Sequence, residues 1–590
     1  MAAEKPILIF DGKCGFCRIW IDYWRQLTGD RVEYLASQEV GNRFPQIPTE
    51  DYAESVQLVH PDGTVISGAR AVFKTLDKEK LYGWVSGPSE FAYRFIARRR
   101  SFFHHVTRLA FGTRIEPARF AATQWLFLRA LAAIYALAFG SLAFQIVGLF
   151  GERGIAPVVR FLGSLDATGS PIRFLAVPSI FWLGADDNTL TAVCFAGVVL
   201  AAMLFLTGFT NGKFERFILV LLFVLHLSLV AVGQDFLAFQ WDMLLLEAGF
   251  LAIFLGRNRI VPWLFRWLTF RLFFLSGAVK LLSGDPNWRN FSALGFHWHT
   301  QPLPTVGAWY ADKLPSGFQH FATAATLGSE LLIPFLILFP RRLRITAACW
   351  LIALQILILA TGNYTYFNLL TLALCWFLFD DQALLRFVPR QNRETLARGP
   401  AGRAAAWAVA AVVLVLSVLH MAESLRGRLP APFTAILRYT TPLRIVNDYG
   451  LFAVMTTQRN EIILEGSADG EAWTAYEFQY KPGKIAQAPR WVAPYQPRLD
   501  WQMWFAALGN YQSNPWFVSL AVRLLQGSEE VAGLLAYNPF PAQPPRYIRA
   551  TVYQYTFTDS QTRARTGAWW QREQKGIYFP PVSLRGAVPQ

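Results

Sequence analysis

Charge is scarce in this 590-residue chain: Asp, Glu, Lys and Arg together make up 16%, against ~25% in ordinary soluble domains. That excludes a disordered or fibrous protein and argues against a fully soluble enzyme. Cysteine is scarcer still. Cys14, Cys17, Cys194, Cys349 and Cys375 are the whole set, too few and too scattered for a disulfide scaffold. Two of them form a single C-x-x-C, and no second C-x-x-C exists to complete a four-cysteine zinc site. No internal repeat or low-complexity tract stands out. The start, Met1 to Cys17, lacks a basic stretch followed by a 7–15-residue apolar run, so no signal peptide is expected and the first domain is expected to stay in the cytoplasm.

Apolar residues are abundant. Hydrophobic residues reach 53%, aromatics 15% with 21 Trp, and the mean hydropathy is +0.28. The net charge of +15 could suit nucleic acid, but the basic residues sit between apolar runs, as in a polytopic membrane protein. A bilayer is therefore expected as a partner and nucleic acid is not. Nine spans are expected: Trp125–Val147, Leu190–Gly208, Phe217–Val232, Met243–Leu255, Trp267–Leu282, Phe318–Phe339, Ile345–Ala360, Phe367–Phe379 and Ala404–His420. With the N-terminus inside, thirteen Lys and Arg fall in the inner loops: Lys213, Arg216, Arg257, Arg259, Arg266, Arg341, Arg342, Arg344, Arg386, Arg390, Arg393, Arg398 and Arg403. Five fall in the outer loops: Arg153, Arg160, Arg173, Arg289 and Lys313. This bias predicts a cytoplasmic N-terminus and, for an odd number of spans, an extracytoplasmic C-terminus.

Four regions follow. Residues 1–92 read as a small α/β domain: a strand Pro6–Phe10, a helix Cys17–Leu27, strands Ser55–His60 and Thr64–Ile66 around Pro61-Asp62-Gly63, and a helix Ala69–Leu76. Residues 93–123 are a basic, amphipathic approach to the membrane. Residues 124–421 form the polytopic helical domain. Residues 422–590 read as β-rich with helical insertions: a hairpin around Asp469-Gly470, a strand Arg546–Phe557, and helices Trp501–Leu508 and Trp516–Leu525.

The sharpest chemical motif is Asp11-Gly12-Lys13-Cys14-Gly15-Phe16-Cys17. It follows a strand and opens a helix. A helix N-terminus and Lys13 both favour a thiolate at Cys14, and Cys17 lies one turn on, placed to resolve a mixed disulfide. The segment resembles the thioredoxin-like thiol–disulfide oxidoreductase family named for its Asp-Cys-Cys motif. The matching residues are Asp11, Cys14 and Cys17, with Pro61-Asp62-Gly63 and Gly68-x-x-Ala71 fitting its later pattern. The resemblance implies redox chemistry at Cys14 and Cys17, with Asp11 in the site, and a thiol redox partner.

The larger remainder, from about residue 120 to 580, resembles the lipase maturation factor family. The motifs are Gln240-Trp241-Asp242 with Leu246-Glu247-Ala248-Gly249-Phe250; Trp298-His299-Thr300-Gln301-Pro302-Leu303-Pro304-Thr305; Thr361-Gly362-Asn363-Tyr364; Asn447-Asp448-Tyr449-Gly450; and Gln496-Pro497-Arg498-Leu499-Asp500-Trp501-Gln502-Met503-Trp504-Phe505. Eukaryotic members are endoplasmic reticulum membrane proteins needed for folding of secreted lipases. The resemblance thus implies a folding factor for exported clients of the lipase type, with its tail outside. The fused redox domain departs from the family and suggests a bacterial inner membrane.

Other candidates are single residues. Lys280, in Phe273-Phe274-Leu275-Ser276-Gly277-Ala278-Val279-Lys280-Leu281, is an ionisable residue in a span and so a functional candidate; a lysine that snorkels to the interface is the plainer reading. The local pattern also resembles the core of vitamin K-dependent γ-glutamyl carboxylase, where the matching lysine is the catalytic base. Asp242 and Glu247 are likewise intramembrane candidates; they either pair with Arg271 or Lys280 or cap the helix, and a structural ion pair is the favoured expectation. His297-x-His299 could chelate, but no third ligand is evident, and no metal is expected. Trp501, Trp504 and Phe505 form either an apolar client-binding surface or a domain core. The rival functions are a membrane thiol oxidoreductase passing electrons to a lipid-phase acceptor such as a quinone, and a carboxylase-like enzyme using Lys280. No cofactor beyond the cysteine pair is otherwise implied.

Overall fold

The computed structural model describes residues 5–41, 43–113, 115–207, 212–256, 258–388 and 403–584. Of the basic loop residues above, Arg257, Arg390, Arg393 and Arg398 lie outside the described residues, as does Gly208 at the end of one expected span. The chain divides into two compact units: Met1–Arg119 with Leu338–Thr346, and Phe120–Ile337 with Ala347–Gln590.

The first unit is built on a four-stranded sheet in the order β2-β1-β3-β4. Strand β1 (Ile7–Phe10) is central and buried at all four positions. It pairs parallel with β2 (Glu33–Ala36) and antiparallel with β3 (Gln57–Val59). Covered on both faces, it needs an unbroken apolar run rather than an alternating one, as Ile-Leu-Ile-Phe supplies. Burying each of these side chains contributes about 1.5–3 kcal/mol. Strand β4 (Val65–Ser67) closes the expected hairpin on β3, with Val59 opposite Val65. Gly63 turns that corner at φ +85°, a conformation that only glycine adopts without strain.

Helix α1 (Gly15–Thr28) bridges β1 and β2 and ends at Gly29, φ +56°. Helix α2 (Gly68–Thr75) follows β4. Helix α3 (Glu79–Arg98) bends at Val85, with Pro88 one turn on, and α4 (Arg100–Phe111) completes the unit.

The second unit holds the apolar helices, apart from Arg341–Thr346 at the start of one of them. Five are long and apolar enough to cross a membrane: α5 (Ala121–Ala143), α6 (Asp187–Thr207), α7 (Gly212–Val232), α12 (Arg341–Thr361) and α14, apolar over Ala404–Arg426. A sixth candidate is the pair Phe367–Leu378 and Asp381–Phe387, bent by 119°. The nine expected spans therefore exceed what the described helices provide by length and composition. The physical reasons are local. Helix α8 (Gln240–Ile253) has 14 residues, about 21 Å at ~1.5 Å per residue, short of the ~30 Å hydrocarbon core. Helix α9 (Ile260–Leu282) has 23 residues but carries Arg266, Arg271 and Lys280. After the short helix α10 (Ala293–Thr300), helix α11 (Ser316–Leu331) breaks before a second short helix, Ile333–Leu336. The expected span Phe367–Phe379 is helix α13 (Phe367–Cys375) running into a 3-10 turn.

The same unit includes a C-terminal antiparallel sheet, order β6-β5-β7-β8. Strands β5 (Arg459–Ser467) and β6 (Thr474–Ala475) form the expected hairpin, with Gly470 in its turn at φ +90°. Strand β7 (Tyr547–Phe557) pairs with β5 along nine residues. Strand β8 (Trp570–Val582) is the far edge. It carries charges, Pro580-Pro581 and a register shift facing Gly576, all features that discourage further pairing on an edge. Helices α15 (Arg498–Ala506) and α16 (Pro515–Leu525) are inserted between β6 and β7.

Candidate functional site

In the first unit Cys14 caps α1. Its backbone is extended, φ −77° and ψ 110°, and its Sγ accepts from the backbone N–H of Cys17 at 3.2 Å. The Cys17 thiol donates to Cys14 Sγ at 2.7 Å. Two donors converging on one sulfur favour its anion. The Cys14 thiol is accordingly pulled down to about 6, first by the Cys17 thiol hydrogen bond, against burial, with further help from the Cys17 N–H and from Arg100. The Cys17 thiol is pushed up, first by donating to Cys14, then by burial and the adjacent thiolate. At neutral pH one sulfur is then a thiolate and the other a thiol, the division of labour that thiol exchange requires.

Asp11 holds the loop rather than the sulfurs. Its Oδ1 accepts from Lys13 N–H and from Gln38 Nε2, both at 3.0 Å, and Gln38 Oε1 accepts from Gly12 N–H at 3.0 Å. Arg100 Nη1 lies 3.9 Å from Asp11 Oδ2 and Arg100 Nη2 donates to Glu54 O at 2.6 Å. His104 sits against Gly15, its Cε1 3.0 Å from where a Cβ would lie. Arg100 and His104 belong to the segment read from sequence as an approach to the membrane. No local motif flags them; they reach the site because α4 packs back on α1.

The second unit buries several of its charges in pairs. Asp242 accepts from Arg498 Nη2 at 2.9 Å and Nη1 at 3.0 Å, and from Tyr366 OH at 2.7 Å. Both charged side chains are fully buried. Arg498 also donates through Nη1 to Phe236 O at 2.7 Å, and its backbone N–H reaches Gln145 Oε1 at 2.9 Å. Glu247 pairs with Arg271 and accepts from Asn447 N–H at 2.9 Å and Tyr449 OH at 2.8 Å. Arg271 in turn donates to Asn447 O at 3.0 Å. Of the expected partners, Arg271 takes Glu247, whereas Asp242 takes Arg498, 256 residues along the chain. Lys280 is occupied by Glu330, at 2.8 and 2.9 Å, and by Ser276 O at 3.1 Å.

These pairs tie the tail segments 445–450 and 496–502 to the helices. Buried ion pairs add little net stability, but removing one partner is costly, so such pairs fix register. The aromatic segment behaves the same way. Trp501 is 3% exposed and Trp504 7%. Trp501 stands edge-on to Trp241, ring centres 4.7 Å apart, and Trp504 Nε1 donates to Thr300 O at 2.8 Å. Neither presents surface to a client; both pack as core. Phe505 alone of the three is exposed, at 41%. His299 Nδ1 pairs with Asp312 at 3.0 Å and His297 Nε2 with Tyr364 OH at 3.2 Å. Among the described residues no group of three or more His, Cys, Asp or Glu could hold a metal ion.

Two family profiles match this chain. The lipase maturation factor transmembrane domain matches residues 122–386 and the lipase maturation factor C-terminal domain residues 445–580. Lipase maturation factor 2 of Gallus gallus is 36% identical over 80% of this chain and 82% of its own length. Lipase maturation factor 1 of Bos taurus is 36% identical over 80% of this chain and 92% of its own. Lipase maturation factor 2 of Homo sapiens is 35% identical over 78% and 82%.

The chain belongs to the lipase maturation factor family.

No solved structure matches it. Asp242 and Glu247 fall within the first matched region and Arg498 within the second, so the Asp242–Arg498 pair joins the two family domains. The cysteine pair precedes both matched regions. With the family shown and five candidate spans, the protein is an integral membrane protein.

Proposed function

We propose that this protein is a membrane-embedded maturation factor for exported clients of the lipase type, fused to a thioredoxin-like thiol–disulfide oxidoreductase module. The observation that carries the first half is the likeness to relatives named lipase maturation factors, extending over about four-fifths of the chain. For the second half, the carrier is the Cys14 sulfur at the start of α1, receiving two hydrogen bonds from Cys17. The strand order β2-β1-β3-β4, with β3 antiparallel to its neighbours and α1 following the first strand, supports the thioredoxin-like reading. In this reading Cys14 attacks, Cys17 resolves and Asp11 holds the loop.

The proposed setting is a bacterial inner membrane, N-terminal unit in the cytoplasm and C-terminal sheet outside. The loop charge bias supports that orientation, and five spans would place the two ends on opposite sides. A disulfide cannot cross a bilayer, so Cys14 would serve a cytoplasmic or lipid-phase partner and the tail the client. Lys280 is assigned no catalysis, because Glu330 occupies it.

The test is to express an exported lipase beside full-length protein, a Cys14→Ser/Cys17→Ser variant, and a chain ended after residue 440. Full lipase activity with the serine variant and loss with the truncated one is expected. Full activity with no maturation protein at all would remove the first half of the proposal. Independently, Cys17→Ser should accumulate mixed disulfides at Cys14; alkylation that finds both thiols equally reactive between pH 5 and 8 would remove the second.

A further inference from the structure

The first unit contains a cavity of about 340 Å³ beside the cysteine pair. Trp20 and Trp24 of α1, Val72 of α2 and Ile96 of α3 supply apolar wall, and Cys17 and Arg100 line it too. Cys14 Sγ lies 2.7 Å from Cys17 Sγ, so an occupant touching Cys17 is within reach of the thiolate. The volume is at the small end of the ~300–1,000 Å³ typical of ligand pockets. It admits a substituted ring and excludes a folded stretch of polypeptide.

The wall itself points to the source of the occupant. Helix α3 turns Tyr93, Ile96 and Ala97 to the cavity and exposes Trp84, Phe91 and Phe95 elsewhere, at 91%, 74% and 43%. Arg94, Arg98 and Arg99 lie along the same helix end. Exposed aromatic residues beside a run of arginines suit a lipid–water interface, and the first candidate span begins only 22 residues after Arg99, at Ala121. A small ring compound that partitions into lipid matches both features, an apolar cavity wall and an aromatic, basic helix face of the kind found at lipid–water interfaces. Arg100 provides a cationic donor at the sulfur end, suited to an oxygen that becomes negative.

We propose that this cavity is the docking site of a lipid-soluble, fully substituted quinone, which oxidises the Cys14–Cys17 dithiol. The proposal rests on the redox reading above. The Cys14 thiolate adds to the quinone ring, forming a C–S bond and placing negative charge on an oxygen beside Arg100. The Cys17 sulfur then attacks Cys14 Sγ; the S–S bond forms and the C–S bond breaks. Two electrons pass from the dithiol to the quinone, and its oxygens take up two protons, one from the Cys17 thiol and one from water. The products are one disulfide and one quinol.

The experiment uses full-length reduced protein in lipid nanodiscs with two oxidants: a decyl-tailed, fully substituted benzoquinone and hydroxyethyl disulfide. Disulfide formation is followed by alkylation gel shift and quinol by absorbance. One quinol per Cys14–Cys17 disulfide is expected. Ala97→Phe and Val72→Phe, two independent ways to fill the cavity, should each slow the quinone reaction at least tenfold while leaving hydroxyethyl disulfide exchange within twofold. That pattern in either correctly folded variant supports the site. Exchange with hydroxyethyl disulfide but none with the quinone overturns the proposal and leaves the redox module intact. An unchanged quinone rate in both filled variants overturns it too. Failure of both oxidants removes the redox reading itself.

Discussion

Each unit sets an arginine from far along the chain against an aspartate near a candidate site, and the two pairs differ in every physical respect. Arg498 and Asp242 are fully buried, two nitrogens facing two oxygens. Arg100 and Asp11 keep 21% and 25% of their side chains exposed and stand 3.9 Å apart. Water screens the second pair and cannot reach the first. The first is therefore a fastener between distant segments of sequence. The second is a local field beside a reactive sulfur, where a modest charge can bias a titration without holding anything together. Fully buried, fully paired groups make poor reagents, which favours the proposed chemistry at the half-buried cysteines over chemistry at Asp242, Glu247 or Lys280.

Breaking the fastener should have the largest effect. Arg498→Met leaves the Asp242 carboxylate buried with Tyr366 as its chief remaining donor. The expected loss is about 3–5 kcal/mol, the usual cost of stripping one partner from a buried pair. Thermal unfolding in detergent should show it as a fall in Tm, with the 445–580 sheet becoming protease-sensitive first. Asp242→Asn in the same chain should restore part of the loss. An Arg498→Met protein with unchanged Tm and protease pattern would mean that the two family domains are held by apolar packing alone.

A second, smaller effect lies in the same segment. Asp500 Oδ1 accepts from the N–H groups of Tyr480 and Lys481, both at 2.8 Å, yet burial outweighs these bonds and pushes its carboxyl from 3.8 up to about 6. A raised acid binds its proton more tightly folded than unfolded. Its contribution to stability is complete below about pH 4 and is lost as the pH rises through 6. Asp500→Asn keeps an acceptor for both N–H groups and removes the charge. The variant should match the parent at pH 4 and exceed it at pH 8 by about 2–3 kcal/mol, the two-unit shift at ~1.4 kcal/mol per unit. Parallel stability curves across that range would show that Asp500 keeps its ordinary acidity.

Legibility in the sequence follows the same division between local and distant. Strand β1, helix α1 and the β3–β4 and β5–β6 hairpins were readable because each is announced by adjacent residues: Ile7–Phe10, the Cys14 cap, Asp62-Gly63, Asp469-Gly470. Strand β2 was not, because Glu33–Ala36 is short and its support comes from elsewhere in the chain: it lies parallel to β1 and its Tyr34 is buried in the core of the unit. Strand β8 was missed because its Pro580-Pro581 and charged residues read as loop. The nine expected spans exceed the five or six candidates that length and composition give among the described helices; a short apolar run such as Met243–Leu255 is buried in protein and has the hydropathy of a membrane helix without its length. The CxxC site was visible in outline, yet Arg100, which adjusts it, belongs to a different element. Asp242 and Arg498 each stood out as part of a motif; nothing local says that they face one another.

The smallest expected effect tests the field beside the cysteines. Five influences act on Cys14 in order of size: the Cys17 thiol bond lowers its titration, burial raises it, the Cys17 N–H lowers it, Arg100 lowers it further, and Asp11 raises it. Removing the first should therefore matter more than removing Arg100. Cys17→Ala deletes the thiol donor and keeps the backbone N–H, so alkylation of Cys14 should move clearly toward the free-thiol range near ~8.5. Arg100→Met should move it in the same direction by less, and the cost in stability should stay within about 1 kcal/mol, as for other solvent-reached pairs. The measurement is iodoacetamide reactivity of Cys14 against pH in both variants, with Tm as the control. A larger shift from Arg100→Met than from Cys17→Ala would reverse the ranking and make the arginine, rather than the second cysteine, the principal activator of the thiolate. A Tm loss from Arg100→Met as large as that from Arg498→Met would erase the contrast between the two arginines and show that the first unit, too, is fastened by its charges.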